Sequence, residues 1–259
     1  METLPDMEKD SPTSNLLAFV HTIVIYVWVV IATLVIGLTV ILCSFFSKTG
    51  NSVHHVARLW GRSILWISGL RVQVEGLENI DASRSAIYMS NHQSNFDIPV
   101  FFSVLPVQFR WLAKAELFKI PFFGQSMRRA GYISIDRSDA KSAIRSLGRA
   151  AQSIREGTSV LIFPEGTRSH DGALLPFKAG GFLLAVDAGV PIVPMAVRGT
   201  YEVMPKGRKI IRRQAVHLVV RPPIDSRAFT RKTKNELMAR VQDAIEEAMT
   251  IQPGGGGRA

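Results

Sequence analysis

From Leu16 to Phe46 the chain carries no charged side chain, and the run is dominated by Val, Ile and Leu. As one helix it would extend roughly 45 Å, against ~30 Å for the hydrocarbon of a bilayer. It is long enough to cross with a strong tilt, or to bend and re-emerge on the side it entered. A different pattern follows. Between Asn51 and Gly69, the apolar residues Val56, Leu59, Trp60, Ile64 and Ile67 recur at near-helical spacing, with His54, His55, Arg58 and Arg62 between them. That predicts an amphipathic helix. Trp60 and Trp66 beside arginines suit a helix in the membrane interface, and the same periodicity suits one facing a protein core.

Beyond residue 70, short β-rich runs alternate with helical stretches. Strands are expected at Val72–Glu75, Ala86–Ser90, Phe109–Lys114, Tyr132–Ile135, Val160–Phe163, Ile192–Val197 and Val216–Val220. Helices are expected at Pro99–Leu105, Phe122–Ala130, Asp139–Glu156 and Lys178–Ala188. Such alternation implies an α/β fold, with a central mixed, largely parallel sheet of about seven strands covered by helices. An N-terminal membrane helix or helical hairpin precedes it. Thr233 and Glu236 have the spacing of a capping box at the start of a last helix, Thr233–Met249, where Leu237, Val241 and Ile245 form one apolar stripe. The chain thus divides into a polar segment (1–15), a membrane anchor with an interfacial helix (16–70), one α/β domain (71–250) and a flexible Gly-rich tail (251–259).

Composition and charge sharpen the membrane reading. The residues are 47% hydrophobic, and much of the excess lies in the first apolar run. A cleaved signal peptide would begin basic and have a shorter apolar core; here Glu2, Asp6, Glu8 and Asp10 face Lys9 alone. The net charge of +10 is concentrated after the run, where Lys48, Arg58 and Arg62 follow closely. Basic flanks stay cytoplasmic, so the large domain is expected on the cytoplasmic face. Beside an anchor, anionic headgroups are a simpler partner for this charge than nucleic acid. Cys43, the only cysteine, lies in the apolar run. Neither an internal disulfide nor a thiol nucleophile in the α/β domain is available.

The strand ending at Ser90 runs into Asn91-His92-Gln93-Ser94-Asn95-Phe96-Asp97. A polar turn of this length can return the Asp97 carboxylate to one imidazole nitrogen of His92, with Ser94 or Asn95 available to cap the next helix. The carboxylate would fix the tautomer and leave the other nitrogen for a hydroxyl, as a general base requires. On spacing alone, a polar capping turn is the better explanation of the stretch.

Three further segments occur in order: Gly131-Tyr132-Ile133-Ser134-Ile135-Asp136-Arg137, Phe163-Pro164-Glu165-Gly166-Thr167-Arg168 and Val190-Pro191-Ile192-Val193-Pro194. Together with His92-x-x-x-x-Asp97, and with Lys114-Ala115-Glu116-Leu117 followed by Pro121 and Gly124, they resemble the motifs of the glycerolipid acyltransferases, within them the lysophosphatidic acid acyltransferases. The resemblance covers about residues 80 to 220 and departs at Ser134, where that family usually has a bulky apolar residue. It implies an acyltransferase domain at 71–250, with His92 and Asp97 catalytic. Glu165-Gly166-Thr167-Arg168 follows an apolar run, which sets it at a strand end, where ligands of open α/β sheets bind. There Gly166 permits close backbone approach, Thr167 offers a hydroxyl and Arg168 a planar fork for phosphate. Arg137, also just past a strand, is a candidate second phosphate ligand, and Lys114 a third.

The Phe-rich stretch containing Phe101, Phe102, Phe109, Phe118, Phe122 and Phe123 fits either an acyl tunnel, as the resemblance implies, or ordinary core. Lys206, Arg208, Lys209, Arg212 and Arg213 form a basic cluster suited to a solvated loop, an anionic membrane or an acidic acyl carrier. No Gly-x-Ser-x-Gly elbow, Walker loop or His-Glu-x-x-His pair is present, and adjacent His54-His55 diverge on a helix, so no metal is implied.

The expected activity is acyl transfer from an acyl thioester to the free hydroxyl of 1-acylglycerol 3-phosphate. It would give phosphatidic acid for phospholipid synthesis, with no bound cofactor and with acyl-CoA or acyl-carrier protein as co-substrate. Another acceptor (glycerol 3-phosphate, another lysophospholipid or an amine lipid) fits the same motifs. A non-catalytic protein that binds anionic lipid remains the competing class.

Overall fold

Strands buried on both faces read as near-continuous apolar runs, and the runs in this chain build one such sheet. The computed structural model describes residues 12–45, 51–136 and 139–251. Seven strands form the sheet: β1 (Arg71–Glu75), β2 (Ile87–Ser90), β3 (Arg110–Lys114), β4 (Ile133–Ile135), β5 (Val160–Ile162), β6 (Ile192–Arg198) and β7 (Ala215–Val220). Their order is β1-β7-β6-β2-β5-β3-β4. Every pairing is parallel except β6 with β7, which run antiparallel. The mixed, largely parallel sheet read from the sequence is the sheet observed, with strand ends within one residue of expectation.

Alternation along β2 supplies two cores. Tyr88 packs on one face with Phe101, Phe109, Leu161 and Val193, beneath α2 (Asn51–Ser68) and α3 (Asp97–Val104). Ile87 and Met89 pack on the other with Ile154, Phe182, Val241 and Ile245. The last three belong to α6 (Gly180–Ala188) and α8 (Lys234–Thr250), and Ile154 to α5 (Ala140–Arg155). A short helix, α7 (Thr200–Val203), and 3-10 turns at Leu77–Asn79, Ala115–Lys119 and Ser226–Ala228 were not expected from periodicity; they are too short to show any.

The apolar run forms a single unbroken helix, α1 (Pro12–Ser44), so it does not bend back on itself. By length and composition it is able to cross a membrane. The hairpin that exists pairs α1 with α2, antiparallel. The Trp28 indole donates to Ser63 Oγ at 3.2 Å, the Trp60 indole donates to Thr33 Oγ1 at 3.1 Å, and His21 Nε2 lies 3.1 Å from the Ile67 carbonyl. Further along, Gly37 lies against α4 (Phe123–Arg129): Ser126 Oγ donates to its carbonyl at 3.2 Å, and the Phe122 ring fills the space a side chain would need. One side of α1 is therefore a protein contact along most of its length, while Leu17, Val24, Ile31, Leu34, Val35 and Leu42 face outward. The core-facing reading of α2 holds, and Trp60 belongs to it, bonded to Thr33 and packed on Phe102. Val53, Ala57, Ile64 and Leu65 are core, whereas Trp66 is 77% exposed beside Arg62.

Two local expectations are corrected. Thr233 occupies the cap position of α8 but makes no side-chain cap bond, because its hydroxyl accepts the Thr230 N–H at 2.9 Å instead. Helix α1 begins at Pro12, inside the expected polar segment 1–15. The rest of that segment, and the tail beyond residue 251, lie outside the described residues.

At the α2–α3 crossing, a Cβ on Gly61 would meet Phe102 Cβ at 2.8 Å and the Pro99 carbonyl at 2.9 Å. Neither atom is the far end of a flexible side chain. Gly61→Val is expected to cost about 1–3 kcal/mol by forcing these helices apart, read as a lowered Tm in detergent. An unchanged Tm would show that the crossing is not tightly packed.

Candidate active site

Strand β2 lies between β6 and β5, so the chain leaving its carboxyl end enters the crevice where ligands of such sheets bind. Asn91 continues the ladder by side chain. Its Nδ2 donates to the Val197 carbonyl and its Oδ1 accepts the Val197 N–H, both at 2.8 Å. His92 is thereby aimed from a fixed strand end. Its Nδ1 lies 2.7 Å from Asp97 Oδ2, which also accepts the N–H groups of Gln93 (2.8 Å) and Ser94 (2.9 Å). Asp97 is fully buried at the first turn of α3. A carboxyl group shut away from water needs hydrogen-bond partners, and these three groups supply them at Oδ2. The expected cap differs in detail. Phe96 occupies the cap position without a side-chain bond, while Ser94 Oγ accepts the Phe96 N–H at 3.2 Å and donates to the Met204 carbonyl at 2.8 Å.

The imidazole is also held by its face. Phe163 stacks on it at 3.8 Å between centroids and 5° between planes, and Trp111 stacks behind Phe163 at 5.3 Å. With Nδ1 engaged, Nε2 is the nitrogen left for a ligand. His92 lines a cavity of about 460 Å³ together with Thr167, Arg168 and Lys114, with Phe123 and Met127, and with residues of α1. Thr33, Ile36, Gly37 and Val40 of α1 line it, as do Trp60 and Phe102. The Phe-rich stretch therefore divides: Phe102 and Phe123 line the cavity, Phe101 and Phe109 are core, Phe118 is buried, and Phe122 lies on Gly37.

The turn after β5 brings Glu165, Gly166, Thr167 and Arg168 beside His92. Gly166 closes it on the Phe163 carbonyl at 3.0 Å with φ +73°, a left-handed value that favours glycine. Thr167 and Arg168 line the mouth of the cavity. Glu165 does not face it. Only 2% exposed, it accepts the His92 N–H at 2.6 Å through Oε1 and the Leu175 N–H at 2.9 Å through Oε2. It braces the histidine loop against the segment after Arg168, whose Ser169 N–H also donates to the His92 carbonyl at 2.8 Å. Burial pushes the Glu165 carboxyl up to about 7; the two N–H donors pull it down and the Asp97 charge pushes it further up. Lys114 also lines the mouth, mostly exposed and paired with Glu116 at 3.3 Å. Arg137 lies outside the described residues. Motif reading assigned no role to Asn91, Phe163 or Trp111. The alternation of strand and turn residues could have flagged Asn91 as a polar group at a buried strand end, but no local signal announces the stacking partners.

Comparison with known proteins follows the same residues. A family model described as Acyltransferase matches residues 71–198. A 1-acyl-sn-glycerol-3-phosphate acyltransferase from Limnanthes douglasii is 33% identical over 243 residues, covering 92% of this chain and 85% of that protein. The alpha form from Homo sapiens is 34% identical, covering 78% and 73%. A chloroplastic relative from Brassica napus is 37% identical over 182 residues, and the chain spans about half of its length (52%). Among solved structures, the 1-acyl-sn-glycerophosphate (LPA) acyltransferase PlsC from Thermotoga maritima superposes with a TM-score of 0.78 at 28% identity, covering 93% of this chain and 99% of that one.

Glu165 carries a pH signature. Its folded value of about 7 lies above the ordinary 4.5. The native state therefore holds its proton more tightly than the unfolded chain, and this contribution is full below pH 4.5 and lost as pH rises through about 7. Glu165→Gln cannot titrate. Its Tm relative to wild type is expected to improve as pH rises across that window, and parallel Tm–pH curves would refute the assignment.

Proposed function

Because this chain belongs to the 1-acyl-sn-glycerol-3-phosphate acyltransferase family, we propose that it transfers an acyl chain from an acyl thioester to the free hydroxyl of 1-acylglycerol 3-phosphate, giving phosphatidic acid. One observation carries this reading. The His92–Asp97 pair stands where a cationic rim meets an apolar cavity bounded by the membrane-type helix, a shape suited to a molecule with a phosphate at one end and a hydrocarbon chain at the other.

In the proposed reaction His92 Nε2 takes the proton of the acceptor hydroxyl as its oxygen attacks the thioester carbonyl. Asp97, on Nδ1, holds the tautomer and stabilises the imidazolium that forms. The C–O bond forms, the C–S bond breaks, and the departing thiolate takes the proton from His92. No covalent acyl-enzyme is required. Arg168, with Lys114 and Arg137 as further candidate cations, holds the acceptor phosphate so that binding energy positions the hydroxyl. Glu165 acts by keeping the histidine loop in register. The donor is acyl-CoA or acyl-carrier protein; an acidic carrier would be drawn to the basic loop at residues 206–213.

The exposed side of α1 is read as lipid-facing, with Trp66 and Arg62 at the headgroup level and anionic headgroups as partners. Lys48, Arg58 and Arg62 after α1 favour the cytoplasmic face for the large domain.

The decisive assay supplies lysophosphatidic acid and an acyl thioester to purified full-length protein. Wild type is expected to form phosphatidic acid, and His92→Ala to lose about 10²–10⁴-fold in rate, the usual share of a general base. Equal rates would exclude His92 as the base, and consumption of glycerol 3-phosphate instead would change the acceptor. Arg168→Ala is expected mainly to raise KM for the phosphorylated acceptor; an unchanged KM would remove Arg168 from the phosphate site.

A further inference from the structure

Five basic residues lie between α7 and β7, and four of them, Arg208, Lys209, Arg212 and Arg213, are exposed. Lys206 differs: it is half-buried and turned inward. Its ammonium donates to Thr167 Oγ1 at 3.1 Å and to the Arg168 carbonyl at 3.0 Å. Both acceptors belong to residues at the mouth of the active-site cavity. An ammonium has three donors, so one remains. No carboxylate among the described residues forms an ion pair with Lys206. A cation held this way has its position set by neutral oxygens and its charge left uncompensated.

The loop that carries it is anchored at several points. Ser94 Oγ of the histidine loop donates to the Met204 carbonyl at 2.8 Å. The Arg212 N–H donates to the Val203 carbonyl at 2.9 Å and closes the loop on itself. Two more ties run to α1: the Ile211 N–H donates to Thr22 Oγ1 at 3.0 Å, and the Tyr26 hydroxyl donates to the Lys209 carbonyl at 3.1 Å. Lys206 is thus placed by the catalytic loop from one side and by α1 from the other. A flexible surface lysine loses side-chain entropy on meeting an anion; much of that loss has already been taken here.

We propose that Lys206 is a direct ligand of the acceptor phosphate, completing with Arg168 a cationic clamp whose outer edge is supported by α1. The inference rests on the acyl-transfer reading above. It assigns to this one lysine, among the five basic residues of its loop, a part in recognising the phosphomonoester. The same loop makes α1 a structural support of the headgroup site as well as a wall of the acyl cavity.

The test compares wild type, Lys206→Met, Lys206→Arg and Arg208→Met as full-length proteins in one detergent. Equilibrium binding of lysophosphatidic acid and of monoacylglycerol, which lacks the phosphate, is measured without acyl donor. Lys206→Met is expected to weaken lysophosphatidic acid about 10- to 100-fold, the usual loss of a hydrogen bond to a charged group, with monoacylglycerol binding unchanged. Lys206→Arg should recover most of the loss, and Arg208→Met should bind both lipids as wild type does. Equal weakening of the two lipids by Lys206→Met would reduce Lys206 to a brace of the Thr167–Arg168 turn and overturn the proposal. So would wild-type affinity in Lys206→Met, or an equal loss in Arg208→Met, which would reveal only a diffuse field. If wild type binds lysophosphatidic acid but does not acylate it, the acyl-transfer reading fails, and the binding comparison still decides Lys206.

Discussion

A single carboxylate oxygen organises this site. Asp97 Oδ2, in a fully buried side chain, collects an imidazole N–H and two main-chain N–H groups, all within 2.9 Å. If any donor moved away, a buried polar group would lose a partner, at a cost of about 1–3 kcal/mol. The turn from Gln93 to Asp97 is therefore constrained to one conformation. That conformation sets the tautomer and the direction of Nε2, and much of the surrounding structure serves to preserve it: Asn91 extends the sheet ladder, Phe163 covers one ring face, and Glu165 holds the His92 N–H from below.

The second carboxylate shows how a similar burial can be used differently. Glu165 has two N–H donors shared over two oxygens, and sits near a second negative charge, Asp97. Burial holds its proton to about pH 7; the Asp97 charge acts in the same direction, and the two N–H donors act against it. Two acids in adjacent loops thus occupy different roles: Asp97 pairs with the imidazole, whereas Glu165 binds only main-chain N–H groups.

Helix α1 joins membrane association to chemistry by direct contact. It walls the cavity through Thr33, Ile36, Gly37 and Val40, and holds the basic loop through Thr22 and Tyr26. A helix that served only as a tether would need neither set. Gly37 is the clearest sign, since the lack of a side chain there lets the Phe122 ring and Ser126 approach.

Much of this was written in local pattern. The uncharged run from Leu16 to Phe46 was bound to form a long apolar helix, and the alternating runs beyond residue 70 were bound to form strands buried on both faces, because hydrophobic periodicity is a property of neighbouring positions. The order of the motifs also carried the family, and with it the expectation that His92 and Asp97 pair. Other outcomes depended on residues far apart in the chain. Thr233 has the right spacing for a capping box, yet its hydroxyl takes a nearer donor in Thr230. Glu165 stands in a motif that reads as ligand-binding, yet both its oxygens are taken by main-chain donors, one from a loop more than seventy residues earlier. The basic cluster reads as five equivalent charges until the fold turns Lys206 inward onto Thr167 and Arg168. Periodicity and motif spacing decide which element a residue joins. Which partner a polar atom finds is decided only when strand ends, loops and α1 converge, since the donors and acceptors that satisfy it come from separate parts of the sequence.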